Sequence, residues 1–214
     1  MSTVQNRLSE NCPLCNQYGE IFYRDRFFCC NECSGIFMAS GFLPNLEEER
    51  KRYEQHKNDV TNVRYQNFVL PIINAVKNNF STNSLGLDFG AGTGPVISKV
   101  LGDNGYKLRQ FDPFFCNDTD ALQLKYDYIV CCEVIEHFHS PSKEFELLKN
   151  LLKPKGHLYC MTHLYTKEID FNNWYYKNDI THVFIYQRET LVKIKDRYKF
   201  SSLTIEDRLM TFKN

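Results

Sequence analysis

Glycines 90, 92 and 94, in Leu87-Asp88-Phe89-Gly90-Ala91-Gly92-Thr93-Gly94-Pro95, follow a short apolar run of Leu85, Leu87 and Phe89. A turn without Cβ atoms lets backbone come close to a ligand. Eighteen residues beyond Gly94, a second run, Gln110-Phe111-Asp112, ends in an acid. Strand, glycine turn, helix, strand and carboxylate is the order in which open α/β sheets hold an adenosine-containing cofactor. The spacing here is G-x-G-x-G rather than G-x-G-x-x-G, and Asp88 stands two residues ahead of the turn. Both departures suit a cationic cofactor without a pyrophosphate. S-adenosylmethionine is one.

Two further sets of side chains could carry chemistry. Glu133-Val134-Ile135-Glu136-His137 follows a nearly continuous apolar run. On a helical turn Glu133, Glu136 and His137 fall at i, i+3 and i+4 and share a face. His182 comes later, in Asp179-Ile180-Thr181-His182. Two carboxylates and two imidazoles suit Mg²⁺, Mn²⁺ or Zn²⁺, which would acidify a substrate hydroxyl. A metal-free reading stands beside it: His137 or His182 as general base or substrate contact, with Glu136 capping backbone. His163 is a candidate for the mouth of the site or for a structural role. The second set is Cys12-Pro13-Leu14-Cys15 and Cys30-Asn31-Glu32-Cys33, two knuckles fourteen residues apart. Four thiolates so spaced can close a tetrahedral structural zinc site, which would supply folding energy to a segment with little core. Cys29 lies beside them, while Cys116, Cys131, Cys132 and Cys160 lack ligand spacing and read as small buried residues.

Positioning these groups falls to three stretches of the 214-residue chain. Residues 1–44 are the cysteine module, 45–80 a linker or lid read as two helices, and 81–214 an α/β domain. Within 45–80, acids at Glu47–Glu49 mark a helix N-terminus, and Pro71 predicts a kink or a late start. From residue 84 strands and helices alternate, which argues for a parallel sheet covered on both faces. The formal net charge is zero, and residues 1–60 hold seven Lys/Arg against nine Asp/Glu. That balance argues against strong non-specific binding to RNA. No apolar stretch reaches the roughly 20 residues of a membrane span, and the polar start is no signal peptide. A cytoplasmic protein is expected, in which nine cysteines are better explained by metal and packing than by disulfides.

The Leu87–Pro95 turn, Asp112, the Tyr126–His137 run and Leu151-Leu152-Lys153-Pro154-Lys155-Gly156 together resemble the class I S-adenosylmethionine-dependent methyltransferases. Arg52-Tyr53-x-x-His56-x-Asn58, Phe111-Asp112-Pro113-Phe114-Phe115 and Trp174–Val183 look like a sparsely characterised branch with an N-terminal zinc module. The resemblance implies a doubly wound, Rossmann-like sheet of six to seven strands with its third-strand region shortened, since only fourteen residues separate Asp112 from Tyr126. It implies that Asp88, Phe89, Gly90, Ala91, Gly92, Asp112, Pro113 and Glu133 bind the cofactor. Asp88 would lie near its amino group and Asp112 would hold its ribose diol; Asp118 to Leu122 are candidates for adenine. Glu133, Glu136, His137 and His182 would be catalytic. That set resembles the Glu-x-x-Glu-His and distant His of small-RNA 2′-O-methyltransferases, where it binds a divalent metal, and some ubiquinone-pathway O-methyltransferases share the first part. Tyr53, His56, His163, Trp174 and Tyr175 would serve as lid or substrate contacts. A small-molecule acceptor is the expectation. A metal-assisted RNA methyltransferase and a non-catalytic cofactor-binding adaptor, docking a partner through the zinc module, are the alternatives.

Overall fold

Leu85–Phe89 (β1), Lys107–Phe111 (β2), Tyr126–Cys132 (β3) and Leu152–Met161 (β4) lie parallel in a six-stranded sheet. They belong to a computed structural model that describes residues 9–55 and 58–214. The last two strands, Ser202–Glu206 (β5) and Leu209–Lys213 (β6), form a hairpin whose second arm runs antiparallel to β4. The resulting order is β5-β6-β4-β3-β1-β2. Side chains alternate across the strands, so each sends residues to both faces. Tyr128 and Val130 of β3 pack with Ile72, Ile73, Val76, Val96, Ile97 and Leu101 on one side. Ile129 and Cys131 pack with Phe145, Leu148, Leu191 and Ile194 on the other. The sheet is doubly wound, with six strands. Where a seventh would lie, Thr119–Gln123 makes a single 3₁₀ turn. Fourteen residues are too few for a strand and its crossover.

Three helices, rather than the expected two, fill 45–80: Leu46–Glu54 (α1), Val63–Phe68 (α2) and Leu70–Asn79 (α3). Asn45 and Glu48 form a reciprocal capping box at the start of α1. Pro71 sits in the first turn of α3, where its missing N–H costs no intrahelical bond. The helices after β1, β3 and Gln187 are Val96–Asp103 (α4), Pro141–Leu151 (α5) and Arg188–Arg197 (α6).

A second sheet is antiparallel throughout. Ser9–Asn11 (β7), Tyr18–Tyr23 (β8), Phe27–Cys30 (β9) and Ile36–Met38 (β10) come from the cysteine module. Its fifth strand, Phe184–Ile185 (β11), comes from the far end of the chain. Cys12, Leu14, Phe28, Cys30, Cys33 and Phe37 share one core with Phe145, Phe184 and Tyr186 of the α/β domain. Among the described residues, no helix is long and apolar enough to cross a membrane.

Candidate active site and cysteine centre

The ends of β1, β2 and β3 open on a cavity of about 1630 Å³. Phe89, Gly90, Ala91, Gly92, Asp112 and Pro113 line it, as the sequence suggests. Gly90 and Gly92 take φ of 78° and 63°, left-handed values that an L side chain rarely adopts. A Cβ on Gly90 would come within 2.4 Å of Val134. Asp112 is 7% exposed and already holds backbone. Its Oδ1 accepts from Phe114 N–H and Phe115 N–H at 2.8 and 3.0 Å, and its Oδ2 accepts from Gly92 N–H at 2.9 Å. A carboxylate offers about four acceptor positions, so Oδ2 retains one beyond these three bonds.

Asp88 does not line this cavity. Its Oδ2 accepts from Ser98 Oγ–H at 2.7 Å and Ser98 N–H at 3.3 Å, at the start of α4. Burial pushes its carboxyl up to about 6, against the pull of Ser98. Of the adenine candidates, Leu122 alone lines the cavity, while Asp118 is paired with Arg109.

Beyond β3, the expected shared face of Glu133, Glu136 and His137 does not form. Glu133 takes φ 52°, and its N–H still bonds Met161 C=O, so it closes the strand rather than starting a helix. Its carboxylate turns to Arg208 Nη2 at 2.6 Å. Only Ile135–His137 makes a 3₁₀ turn. Glu136 and His137 instead meet His182, their ligand atoms all within 4.8 Å of one another.

The hydrogen bonds around this cluster fix which atoms converge. His137 Nδ1 faces Thr181 C=O at 2.9 Å, and His182 Nδ1 faces Tyr176 C=O at 2.7 Å. A carbonyl only accepts, so each Nδ1 carries the proton, and in a neutral ring each Nε2 is an acceptor. Burial holds the His182 imidazole below its ordinary pKa, and His137 adds to this while Glu136 opposes it. Glu136 is fully buried. Its Oε1 accepts from Tyr176 O–H at 2.7 Å, and Tyr176 in turn lies 2.5 Å from Thr162 Oγ1. Oε2 is buried with no partner among the described residues. Burial pushes the Glu136 carboxyl up, while His182 and Tyr176 pull it down. Acceptor atoms gathered beside a buried orphan carboxylate oxygen fit a cation between them.

α1 closes one wall. Tyr53 sets its ring edge-on to Phe114 (5.4 Å) and His137 (5.3 Å). Arg52 Nη2 meets Asp179 Oδ2 at 2.6 Å, and His139 Nε2 meets the buried Glu49 Oε1 at 2.9 Å. Burial alone would raise the Asp179 carboxyl, but Arg52 and Thr181 hold it well below the usual range. Tyr175 lines the cavity and is 65% exposed. Trp174 and His163 do not line it. Trp174 stacks on Tyr176 at 4.9 Å, and His163 Nε2 pairs with Tyr175 O–H at 3.1 Å. His56 lies outside the described residues. Arg208 and the Arg52–Asp179 pair were not legible as site features, because their partners lie 75 and 127 residues away.

At the cysteine centre, the Sγ atoms of Cys12 and Cys33 are 3.6 Å apart, those of Cys15 and Cys30 3.4 Å, and all four lie within 4.8 Å. No disulfide joins them. A ZnS₄ tetrahedron with bonds of about 2.3 Å has edges near 3.8 Å, so the donor set fits. The two knuckles repeat one backbone design. Asn16 N–H bonds Cys12 C=O and Ser34 N–H bonds Cys30 C=O, with φ of 61° at Asn16 and 57° at Ser34. Cys131 and Cys160 are fully buried, as expected, whereas Cys132 reaches the cavity wall.

Residues 62–204 match a family model described as a methyltransferase domain. No curated protein matches the chain. Among solved structures it is similar to an O-methyltransferase family protein from Burkholderia thailandensis, at 11% identity over 77% of this chain and 61% of that one, with a TM-score of 0.51. It is also similar to phosphoethanolamine N-methyltransferase 2 from Haemonchus contortus in complex with S-adenosyl-L-methionine. There the identity is 16% over 73% of this chain and 42% of that one, with a TM-score of 0.51. The chain therefore spans less than two thirds of the length of either. At such identities the likeness is one of fold.

Proposed function

This chain belongs to the methyltransferase-domain family, and from that premise we propose that it moves a methyl group from S-adenosylmethionine to an oxygen of a small-molecule acceptor. The observation that carries the reading is the orphaned Oε2 of Glu136, buried beneath His137 and His182, which line the same cavity as the glycine turn. The cofactor supplies an electrophilic methyl, and direct displacement returns the bond's electron pair to sulfur. Gly90 and Gly92 give the backbone its close approach, and Asp112 Oδ2 takes a ribose hydroxyl. Glu136, His137 and His182 would hold a divalent cation, which would supply Lewis acidity toward an acceptor hydroxyl. Tyr176, by donating to Oε1, fixes the Glu136 carboxylate beside the imidazoles. Tyr53 covers His137 and keeps water from the sulfonium. The lining holds Glu48, Glu49, Asp112, Glu133, Glu144 and Asp179 against Lys51 and Arg52. That excess of carboxylates favours a small acceptor over RNA. Structural zinc at the four cysteines completes the proposal.

Calorimetry with S-adenosylhomocysteine and, separately, Mn²⁺ tests it. Micromolar binding of the nucleoside is expected in wild type and in Glu136→Gln. Mn²⁺ affinity should fall at least about tenfold in the variant. Equal Mn²⁺ binding by both proteins removes the cation and leaves the imidazoles as bases. No nucleoside binding by wild type removes the enzyme and the cofactor-binding adaptor alike.

A further inference from the structure

The stretch between β4 and α6 carries three groups of the site, Tyr176, Asp179 and His182, yet it has almost no regular structure. It holds one 3₁₀ turn, Tyr175–Asn178, and the two-residue β11. A segment with so little regular structure takes part of its shape from what it lies against. Here that is the cysteine module.

β10 pairs with β11 in the register Ile36↔Ile185 and Phe37↔Phe184, and Met38 N–H bonds Val183 C=O at 2.8 Å. His182 is the next residue. On its other side, Val183 N–H bonds Glu136 C=O at 3.0 Å, so one residue ties the module's sheet to the Glu136 turn. The second knuckle grips the same stretch, because Gln187 Nε2–H donates to Ser34 C=O at 2.6 Å. Gly35 sits against the Phe184 ring, where a Cβ would come within 2.3 Å of Cζ. A line of rings also leads from the module to the site. Phe27 meets Phe171 at 5.6 Å, Phe171 meets Trp174 at 6.0 Å, Trp174 stacks on Tyr176 at 4.9 Å, and Tyr176 lies 4.0 Å from His182. Tyr23 O–H donates to Asn172 Oδ1 at 2.8 Å beside that line.

We propose that the cysteine module is the template for the acceptor side of the site: β10 and the second knuckle set Tyr176 and His182 in register with Glu136. The proposal rests on the reading of His182 as a site residue. It gives the module a positioning role in methyl transfer, with Gly35 and Phe184 as positioning residues. The nucleoside side, built on β1, β2 and β3, does not depend on it. Loss of the cysteine-bound metal should therefore unmake the acceptor side first.

Hydrogen exchange read by mass spectrometry, together with calorimetry using S-adenosylhomocysteine, tests this on the full chain. Two perturbations are compared with wild type: removal of the cysteine-bound metal by a mercurial and chelator, and Gly35→Ala, which leaves all four thiolates in place. Each should speed exchange in residues 171–186 at least about tenfold, while the strands at 85–89 and 126–132 keep their protection. Affinity for the nucleoside should stay within about threefold, and Mn²⁺ affinity should fall. Unchanged exchange at 171–186 in both perturbed proteins overturns the proposal. So does a rise spread evenly over the chain with loss of nucleoside binding, which would make the module a general stabiliser. A wild type that binds no nucleoside, yet shows the local exchange pattern, would sink the enzymatic reading and keep the template.

Discussion

At the scale of single residues, two carboxylates buried in the α/β domain have opposite duties. Glu136 lies beside two imidazoles with one oxygen unpartnered among the described residues, whereas Asp88 is spent on Ser98. The folded-state pKa of Asp88 is raised from its ordinary 3.8 to about 6 by burial, so ionisation at neutral pH works against the fold. The stability it contributes is fully present below about pH 4 and is lost as pH rises through about 6. In urea titrations, wild type should gain up to about 3 kcal/mol relative to Asp88→Asn between pH 7 and pH 4. A difference that stays flat over that window would mean that Asp88 is solvated. Residue types at 90, 92, 112, 136, 137 and 182 were legible because glycine, Asp, Glu and His have few structural reasons to recur at those intervals. The displacement of Glu133 was not legible, since a left-handed φ at a glutamate has no local sequence signal.

At the scale of elements, α1 is fastened over the cavity chiefly by side chains from distant loops. Arg52 reaches Asp179 and Glu49 reaches His139. The Arg52 side chain is 32% exposed, so the pair is worth about 1 kcal/mol after solvent screening. Arg52→Ala should accordingly speed amide exchange in Leu46–Glu54 about fivefold, while the sheet strands keep wild-type rates. An unchanged helix would show that Tyr53 packing alone closes the wall. The capping box at Asn45 and the late start at Pro71 place the helices from local sequence alone. Their closure against Asp179 depends on a contact 127 residues away in the chain.

At the scale of the whole molecule, the sheet has lost its third strand and gained a second sheet on its flank. The module is not a detached bead, because its cysteines share a core with Phe145, Phe184 and Tyr186. Burying side chains such as Phe37 and Phe184 contributes about 1.5–3 kcal/mol each. A cation at the cysteine centre would thus stabilise the module and, through Phe184 and Tyr186, the stretch packed against it. Cys33→Ser should lower the thermal midpoint by about 5–10 °C, at about 2–4 °C per kcal/mol for a chain of this size. A midpoint within 1 °C of wild type, on the order of measurement error, would show the centre to be uncoupled from the domain.

Periodicity and spacing determined the parallel sheet covered on both faces, the glycine turn with its acid and the paired knuckles, while the family resemblance implied the shortened third-strand region. These are local patterns, set by the pitch of strands and helices and by the length of chain available. Tertiary structure alone decided that Glu133 leaves for Arg208, that Asp88 turns to Ser98, and that Trp174 stacks on Tyr176 outside the cavity lining. It also decided that β10 of the cysteine module grips the strand beside His182. Such pairings join residues far apart in the chain, and they are chosen by which surfaces the packed sheets bring together.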